Sequence, residues 1–292
     1  MKTRRGEGET MKRGDRKPRL SVSPSARLPV ITLLTDFGTA DYFVGALKGV
    51  ILSANPRASV VDITHEIPAH DVESGAFTLL ASYRWFPSQT IHVAVVDPGV
   101  GSTRRPIFVK AGEHFFVGPD NGIFSYIYQS EPEYQTFQIT NETYFRHPVS
   151  ATFHGRDVFA PVAAAFSLGA NPSEFGPEIK NEVRLASLRP VEHKNGKLEG
   201  RIIHIDRFGN CITNFTREHL AVRWESTASL QVSGKAIRSF RSFFSEETSG
   251  SGKMFAIWGS AGFLEIAATN RSAAKLLRAK RGQPVILKTR EK

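Results

Sequence analysis

Between Pro29 and Gly101 the chain alternates short β-rich runs with segments of helical periodicity, and this alternation restricts the fold more than any other feature. "PVITLLTDFG" reads as a strand ending at Thr35-Asp36, and "DYFVGALKGVILSA" has Phe43, Ala46, Leu47, Val50 and Ile51 at helical spacing, with Asp41 as its expected start. "SVVDITH" is the next strand, "DVESGAFTLLASYRWF" a second amphipathic helix closed by Pro87, and "TIHVAVVDPGVG" a third strand. Strand–helix–strand–helix–strand in short segments predicts an α/β layer built on a central, mostly parallel sheet.

Further on, "FFVGPDNGIFSYI" carries a Pro-Asp-Asn-Gly turn, and "SATFHGRDVFAPVAAAFSLG" runs from a polar Thr152–Asp157 loop straight into an apolar helix. Periodicity stops over Pro177–Arg189, where polar and turn residues dominate. After that, "LEGRIIHIDRFGNCITNF", "SLQVSGKAI", "KMFAIWGSAGFLEIAA" and "PVILKT" favour strands. The expected organisation is a tail over 1–27, an N-terminal α/β domain over 28–182 and a smaller, all-β, barrel-like C-terminal domain over 190–288. A chain of 292 residues has room for two such cores.

The net charge of +10 suggests a polyanionic partner, but its distribution argues otherwise. Residues 1–28 hold nine Lys/Arg against three acidic residues, in a Pro/Ser/Gly-rich stretch too poor in apolar residues to build a core. No aromatic platform is interleaved with the basic residues, so a nucleic-acid partner is not expected. The longest uncharged apolar run, Val158–Ala170, is well short of the ~20 residues that span a bilayer, so no membrane association is expected. One cysteine, Cys211, excludes an intrachain disulfide and fits a cytoplasmic location.

Ligands of open α/β sheets sit beyond the carboxyl ends of the strands, which is where Asp36, His65 and Asp97 fall. In "AVVDPGVGSTRRP" a core strand ends on Asp97, a Pro98–Gly101 turn follows, and Arg104 and Arg105 return a guanidinium to the acid. In the second domain, "IDRFGNCITN" places Asp206, Phe208 and Asn210 on a strand–turn–strand, and "WGSAGFLEIAATNRSA" presents Ser260, Glu265 and Asn270. Taken alone, these residues leave three readings open. Asp36, His65, Asp97, His154 and Asp157 are ligand types for a metal-dependent nucleoside or phosphoester hydrolase, though without close metal-ligand spacing. A non-catalytic small-molecule sensor is a second reading, and ordinary hairpin turns and ion pairs are the third.

Thr35-Asp36-Phe37-Gly38 with Asp41, "VVDITHEI", "AVVDPGVGSTRRPI", "GPDNG", "TFHGRDVFAPVAA", "IDRFGN" and "GSAGFLEIA" occur in the order seen in the SAM hydroxide adenosyltransferases, which this sequence resembles from about Pro29 to Leu287. These are adenosine-forming S-adenosyl-L-methionine hydrolases related to fluorinase and chlorinase. The resemblance implies an N-terminal α/β domain, a C-terminal β-barrel domain, and a homotrimer with active sites at subunit interfaces. It also implies in-line attack of activated water on the ribose C5′ of S-adenosylmethionine, which is a substrate; no cofactor and no metal are expected.

Carried over by position, the family's catalytic triad falls on Asp97, Arg104 and His154. The resemblance makes Asp36 the ribose ligand, Asp41 and Asp206 the acids at the methionine end, and Asn210 the adenine-facing amide. Phe153 and Phe208 become apolar walls, Ser260 a methionine-side hydroxyl, and Asn270 a backbone contact to adenine. The halogenases follow that serine with an arginine; here it is Ala261, so the methionine carboxylate lacks that partner. Glu265 belongs to the cluster without an implied role.

Overall fold

The computed structural model describes residues 28–194, 197–219, 228–245 and 251–289; the expected tail, 1–27, lies outside them. The first sheet contains β1 (Val30–Thr35), β2 (Ser59–Thr64), β3 (Ile91–Val95), β4 (Pro106–Ala111), β5 (His114–Pro119), β6 (Tyr134–Gln138) and β7 (Glu178–Ile179). Their spatial order is β2-β1-β3-β5-β4-β6-β7. β2, β1, β3 and β5 are parallel, and β4, β6 and β7 extend the sheet in antiparallel fashion.

Both faces of the sheet are covered, so its central strands are apolar on both sides. Ile31, Leu33, Val93 and Val95 pack against Leu47 and Ile51 of α1 (Phe43–Ala54) and Val162 and Ala163 of α4 (Ala160–Ser167). Leu34, Ala94 and Val96 point the other way, onto Leu79 of α2 (Val72–Ser82) and Ile127 of α3 (Ser125–Ser130). α2 begins where Asp71 accepts the Ser74 N–H at 3.0 Å. α1 corrects an expectation: Tyr42 is its N-cap, no side chain caps it, and Asp41 stands exposed in the preceding turn. The polar Thr152–Asp157 loop enters α4 through a π-helical turn, Gly155–Phe159, whose wider winding is a common companion of functional sites.

No regular element lies between Ile179 and Val191, and this segment is fastened to the first sheet's layer. The Val183 N–H is bonded to Asp120 at 2.8 Å and the Leu185 N–H to the Ser125 hydroxyl at 2.7 Å. The second sheet comprises β8 (Val191–Glu192), β9 (Leu198–Ile205), β10 (Cys211–Thr216), β11 (Ala228–Val232), β12 (Lys235–Ile237), β13 (Phe240–Arg241), β14 (Met254–Trp258), β15 (Phe263–Ala268) and β16 (Pro284–Thr289). It runs β12-β11-β16-β9-β10-β15-β14-β13, with β8 on β9, and curls into a half-barrel over Ile202, Phe215, Leu230, Leu264 and Val285. α2 joins the two layers: Phe77 stacks on His204 at 4.9 Å, Glu73 meets Arg201 at 2.9 Å, and Arg281 reaches Asp71.

Candidate active site

Parallel pairing aligns the exits of three strands. Thr35 of β1 sits beside Val95 of β3, and Leu34 beside Thr64 of β2, so Asp36, His65 and Asp97 emerge along one sheet edge. Asp36 accepts the His70 N–H at 2.8 Å, and the Gly38 N–H is bonded to the His65 carbonyl at 2.8 Å, fixing these exits to each other. Phe37, Phe43 and Phe153 form a ring cluster with centroids 5.2–5.9 Å apart, and Phe153 is buried within it.

Asp97, Arg104 and His154 meet. Arg104 Nε lies 3.0 Å from both Asp97 oxygens, its Nη2 also reaches Oδ2, and the same Nη2 donates to His154 Nδ1 at 2.8 Å. The guanidinium rests on the Phe159 ring at 5.3 Å. The side chains of Asp97 and Arg104 are only 5% and 9% exposed, so solvent screens this pair weakly. Burial, and after it the charge of Arg104, hold the His154 pKa below the usual histidine range. Because a guanidinium only donates, His154 Nδ1 is the acceptor and Nε2 carries the hydrogen of the neutral ring. The triad therefore offers a carboxylate acceptor and an imidazole N–H donor on either side of one cation.

Two distant loops must touch for this to happen. Gly101, at φ +76°, lies so close to the Ala151 carbonyl oxygen that any Cβ there would overlap it. The turn carrying Arg104 thus presses directly on the loop carrying Phe153 and His154.

The C-terminal candidates gather separately. A cleft of about 770 Å³ is lined by Asp206, Phe208, Asn210, Ser260, Glu265 and Asn270, all six residues singled out in that domain. Asp206 has a local task there. Its Oδ1 accepts the N–H groups of Phe208 and Asn210 at 2.9 and 2.8 Å, and its Oδ2 the Asn210 side-chain amide at 2.9 Å. Asn210 is thereby buried and oriented, while Phe208 is 77% exposed. Glu265 is buried, and burial first, then the nearby Asp206 carboxylate, push its pKa up to about 7. None of Asp36, Asp41, Asp97, Arg104, Phe153 or His154 lines this cleft.

Sequence reasoning missed Phe244, Phe255 and Trp258, which add aromatic surface to the cleft, and Phe37 and Phe43, which complete the wall around Phe153. Trp258 carried a usable signal, since it directly precedes the Gly259–Gly262 turn; Phe244 carried none. Two residues considered as metal ligands have other partners. His65 Nδ1 bonds Thr35 at 2.8 Å with Nε2 3.1 Å from Asp62, and fully buried Asp157 bonds Arg156 and the Ser150 N–H. Among the described residues, no three His, Cys, Asp or Glu side chains are grouped as a metal site.

A layered α/β domain with a charged triad at its strand ends, followed by a β half-barrel with an aromatic cleft, defines a two-part α/β and β architecture. The SAM hydroxide adenosyltransferase N-terminal domain matches residues 31–176 and the C-terminal domain of that family residues 200–286, and the chain belongs to this family. It is 36% identical to the (R)-S-adenosyl-L-methionine hydrolase of Methanocaldococcus jannaschii, over 86% of this chain and 92% of that protein. The enzyme of the same name from Thermus thermophilus is also 36% identical, over 88% and 98%. A fluorinase from Actinoplanes sp. is 26% identical over 68% of this chain and 75% of its own. The crystal structure of a conserved protein from Thermotoga maritima superposes with a TM-score of 0.82 at 32% identity, covering 88% of this chain and 99% of that one.

Proposed function

We propose that this protein hydrolyses S-adenosyl-L-methionine to adenosine and L-methionine. The observation that carries the reading is the Arg104 guanidinium held between Asp97 and His154, in a chain of this family. Free water, with a pKa near ~15.7, is a poor nucleophile, so it must be held in place and share its proton. Asp97 supplies the acceptor, His154 Nε2–H a donor, and Arg104 fixes both groups. The water oxygen bonds to C5′, the C5′–S bond breaks, and its electron pair leaves with the neutral sulfur of methionine. The proton passes to Asp97 and on to solvent. Because a sulfonium is already a good leaving group, positioning supplies much of the rest, up to roughly 7–11 kcal/mol in well-oriented systems.

The assigned binding roles belong to the same proposal. Asp36 takes the ribose hydroxyls, with Phe153 as an apolar wall, and Asp41 and Asp206 face the methionine end. Asn210, Asn270 and Phe208 receive adenine, and Ser260 lies toward methionine. The units 28–182 and 190–288 serve as the two halves, and the site is completed between copies in a homotrimer. What supports this assembly is the separation of the half-sites: the C-terminal cleft is lined by its own domain alone. Aromatic side chains also stand exposed at both halves, Tyr42 at 69% and Phe208 at 77%. A cytoplasmic location accompanies this reading, in line with one buried cysteine, Cys211; no helix among the described residues is long and apolar enough to cross a membrane.

Incubating the purified protein with S-adenosylmethionine and identifying the nucleoside tests the reading. Adenosine and methionine in equal amounts are expected. Bound but unchanged ligand would make the protein a sensor, and turnover abolished by a chelator and restored by a metal would make it a metal-dependent hydrolase.

A further inference from the structure

Asp36, the carboxylate assigned to the ribose hydroxyls, stands in a turn that His65 holds on both sides. His65 follows β2, is only 3% exposed, and takes no part in the triad. Its Nδ1 lies 2.8 Å from the Thr35 hydroxyl oxygen at the end of β1, and its Nε2 lies 3.1 Å from Asp62 Oδ1. Lys48 of α1 donates to the other Asp62 oxygen at 2.6 Å. Burial raises the Asp62 pKa, but Lys48 and then His65 more than offset it and hold the carboxyl below its usual value. The strand register brings the ring to this place. Leu33 is opposite Asp62, yet Leu34 is opposite Thr64, so β2 carries one extra residue, Ile63, just before its exit. Without that residue Thr64 would stand beside Thr35; with it, His65 does. Irregularities of this kind re-aim side chains next to functional sites.

The contacts run in one direction. An ionised Asp62 favours the hydrogen on Nε2 of the neutral ring and leaves Nδ1 as an acceptor. The Thr35 hydroxyl then donates to Nδ1, and its oxygen accepts the Phe37 N–H at 3.3 Å. The peptide N–H that follows Asp36 is thereby tied to the ring. On the main chain the His65 carbonyl accepts the Gly38 N–H at 2.8 Å, where the turn reverses at φ +67°. Asp36 Oδ2 in turn accepts the His70 N–H at 2.8 Å, from the loop that His65 begins. We propose that His65 is a positioning residue for ribose recognition: through Thr35 and the Phe37 N–H, its ring sets the direction of the Asp36 carboxylate. This rests on the assignment of Asp36 to the ribose, and extends it to the buried side chains that orient the acid before substrate arrives.

Two amides separate the two ring nitrogens. His65→Asn keeps an acceptor near the Nδ1 position and gives up Asp62, whereas His65→Gln reaches the Nε2 position and gives up Thr35. Calorimetry compares adenosine with 2′,3′-dideoxyadenosine, which lacks the ribose hydroxyls. His65→Gln weakens adenosine binding by about tenfold and leaves dideoxyadenosine within about twofold, while His65→Asn keeps adenosine within about threefold of wild type. Thr35→Val removes the hydroxyl at nearly the same shape and repeats the His65→Gln pattern. In turnover, His65→Gln raises KM for S-adenosylmethionine by about tenfold while kcat moves less than threefold, because the hydroxyls are held alike before and during the reaction. Equal losses of the two nucleosides in His65→Gln reduce the ring to a structural link between β1 and β2. A loss in His65→Asn as large as in His65→Gln refutes the route through Thr35. If wild type binds both nucleosides alike, Asp36 does not hold the ribose and the proposal falls with that assignment. Should His65→Gln fail to melt cooperatively, Thr35→Val decides: unchanged discrimination between the nucleosides overturns the proposal. The nucleoside measurements need no turnover, so failure to hydrolyse S-adenosylmethionine and failure of the positioning role are separately visible.

Discussion

Replacing Asp97 by asparagine removes one charge and leaves the outline of the triad almost unchanged, which makes it the sharpest probe of the chemistry. Three contacts tie the carboxylate to Arg104, whose side chain is 9% exposed and whose Nη1 is buried without a partner. The amide offers one oxygen where the carboxylate offered two, and its NH₂ group faces a cation. Removing one member of a buried pair costs about 3–5 kcal/mol in stability, so the melting temperature of Asp97→Asn falls even though the fold persists. The chemical loss is separate. Without a general base the expected drop in kcat is about 10²–10⁴-fold, equivalent to roughly 2.7–5.4 kcal/mol of barrier. Adenosine release under saturating substrate is the assay, run well below the variant's own melting point. Asp97 does not touch the C-terminal cleft, so calorimetric affinity for S-adenosylmethionine stays within about threefold. Hydrolysis within a few-fold of wild type would show that Asp97 is only a turn-forming end of β3 with a structural ion pair.

The loop contact at Gly101 gives a second test. Gly101→Ala forces the turn away from Ala151, so kcat falls by at least about tenfold with smaller changes in substrate affinity; unchanged turnover would show that the Arg104–His154 contact is dispensable. Assembly is tested by mixing Asp97→Ala with Asn210→Ala, each inactive alone: light scattering shows trimers, and subunit exchange restores part of the activity. An active monomer ends the shared-site reading. Acid stability follows from His92, whose burial, with a smaller effect from His114, lowers its pKa to about 3. Below the unfolded-state pKa of about 6.5 the unfolded chain gains a proton that the folded chain refuses. Stability is therefore flat above about pH 7 and falls by about 1.4 kcal/mol per pH unit for this group as pH drops toward 3. A melting temperature that does not fall between pH 7 and pH 5 would contradict it.

Why some of this could be read from the sequence and some could not is a matter of range. β3 is buried at all five positions and β1 at five of six, so both read as continuous apolar runs, and the helices between them kept their period. The antiparallel side was harder: β6 has only two buried residues in five, and β7 has two residues in all, which leaves no pattern to find. The start of α1 differs from the expectation because Asp41 has the right chemistry for a cap, while the chain does not enter the helix until Phe43. Within the site, Asp97 and Arg104 are seven residues apart and separated by a turn, a spacing that advertises their pairing. His154 is fifty residues further along, and only the family resemblance brought it to Arg104.

The acids of the C-terminal cleft sharpen the same distinction. In "IDRFGN" and "GFLEIA" the acids Asp206 and Glu265 look alike on the page, and only the family resemblance gives Asp206 a methionine-end role. Folding divides them. Asp206 sits at a hairpin turn, where backbone N–H groups converge and consume its oxygens. Glu265 sits mid-strand, paired with Ile212 of β10 and Ile257 of β14, beside a break in the β10–β15 register between Ile212 and Thr216. Only the fold shows that the Asp206 carboxylate also braces the Asn210 amide, and that Glu265 is buried with its pKa pushed up to about 7 by burial first and then by Asp206.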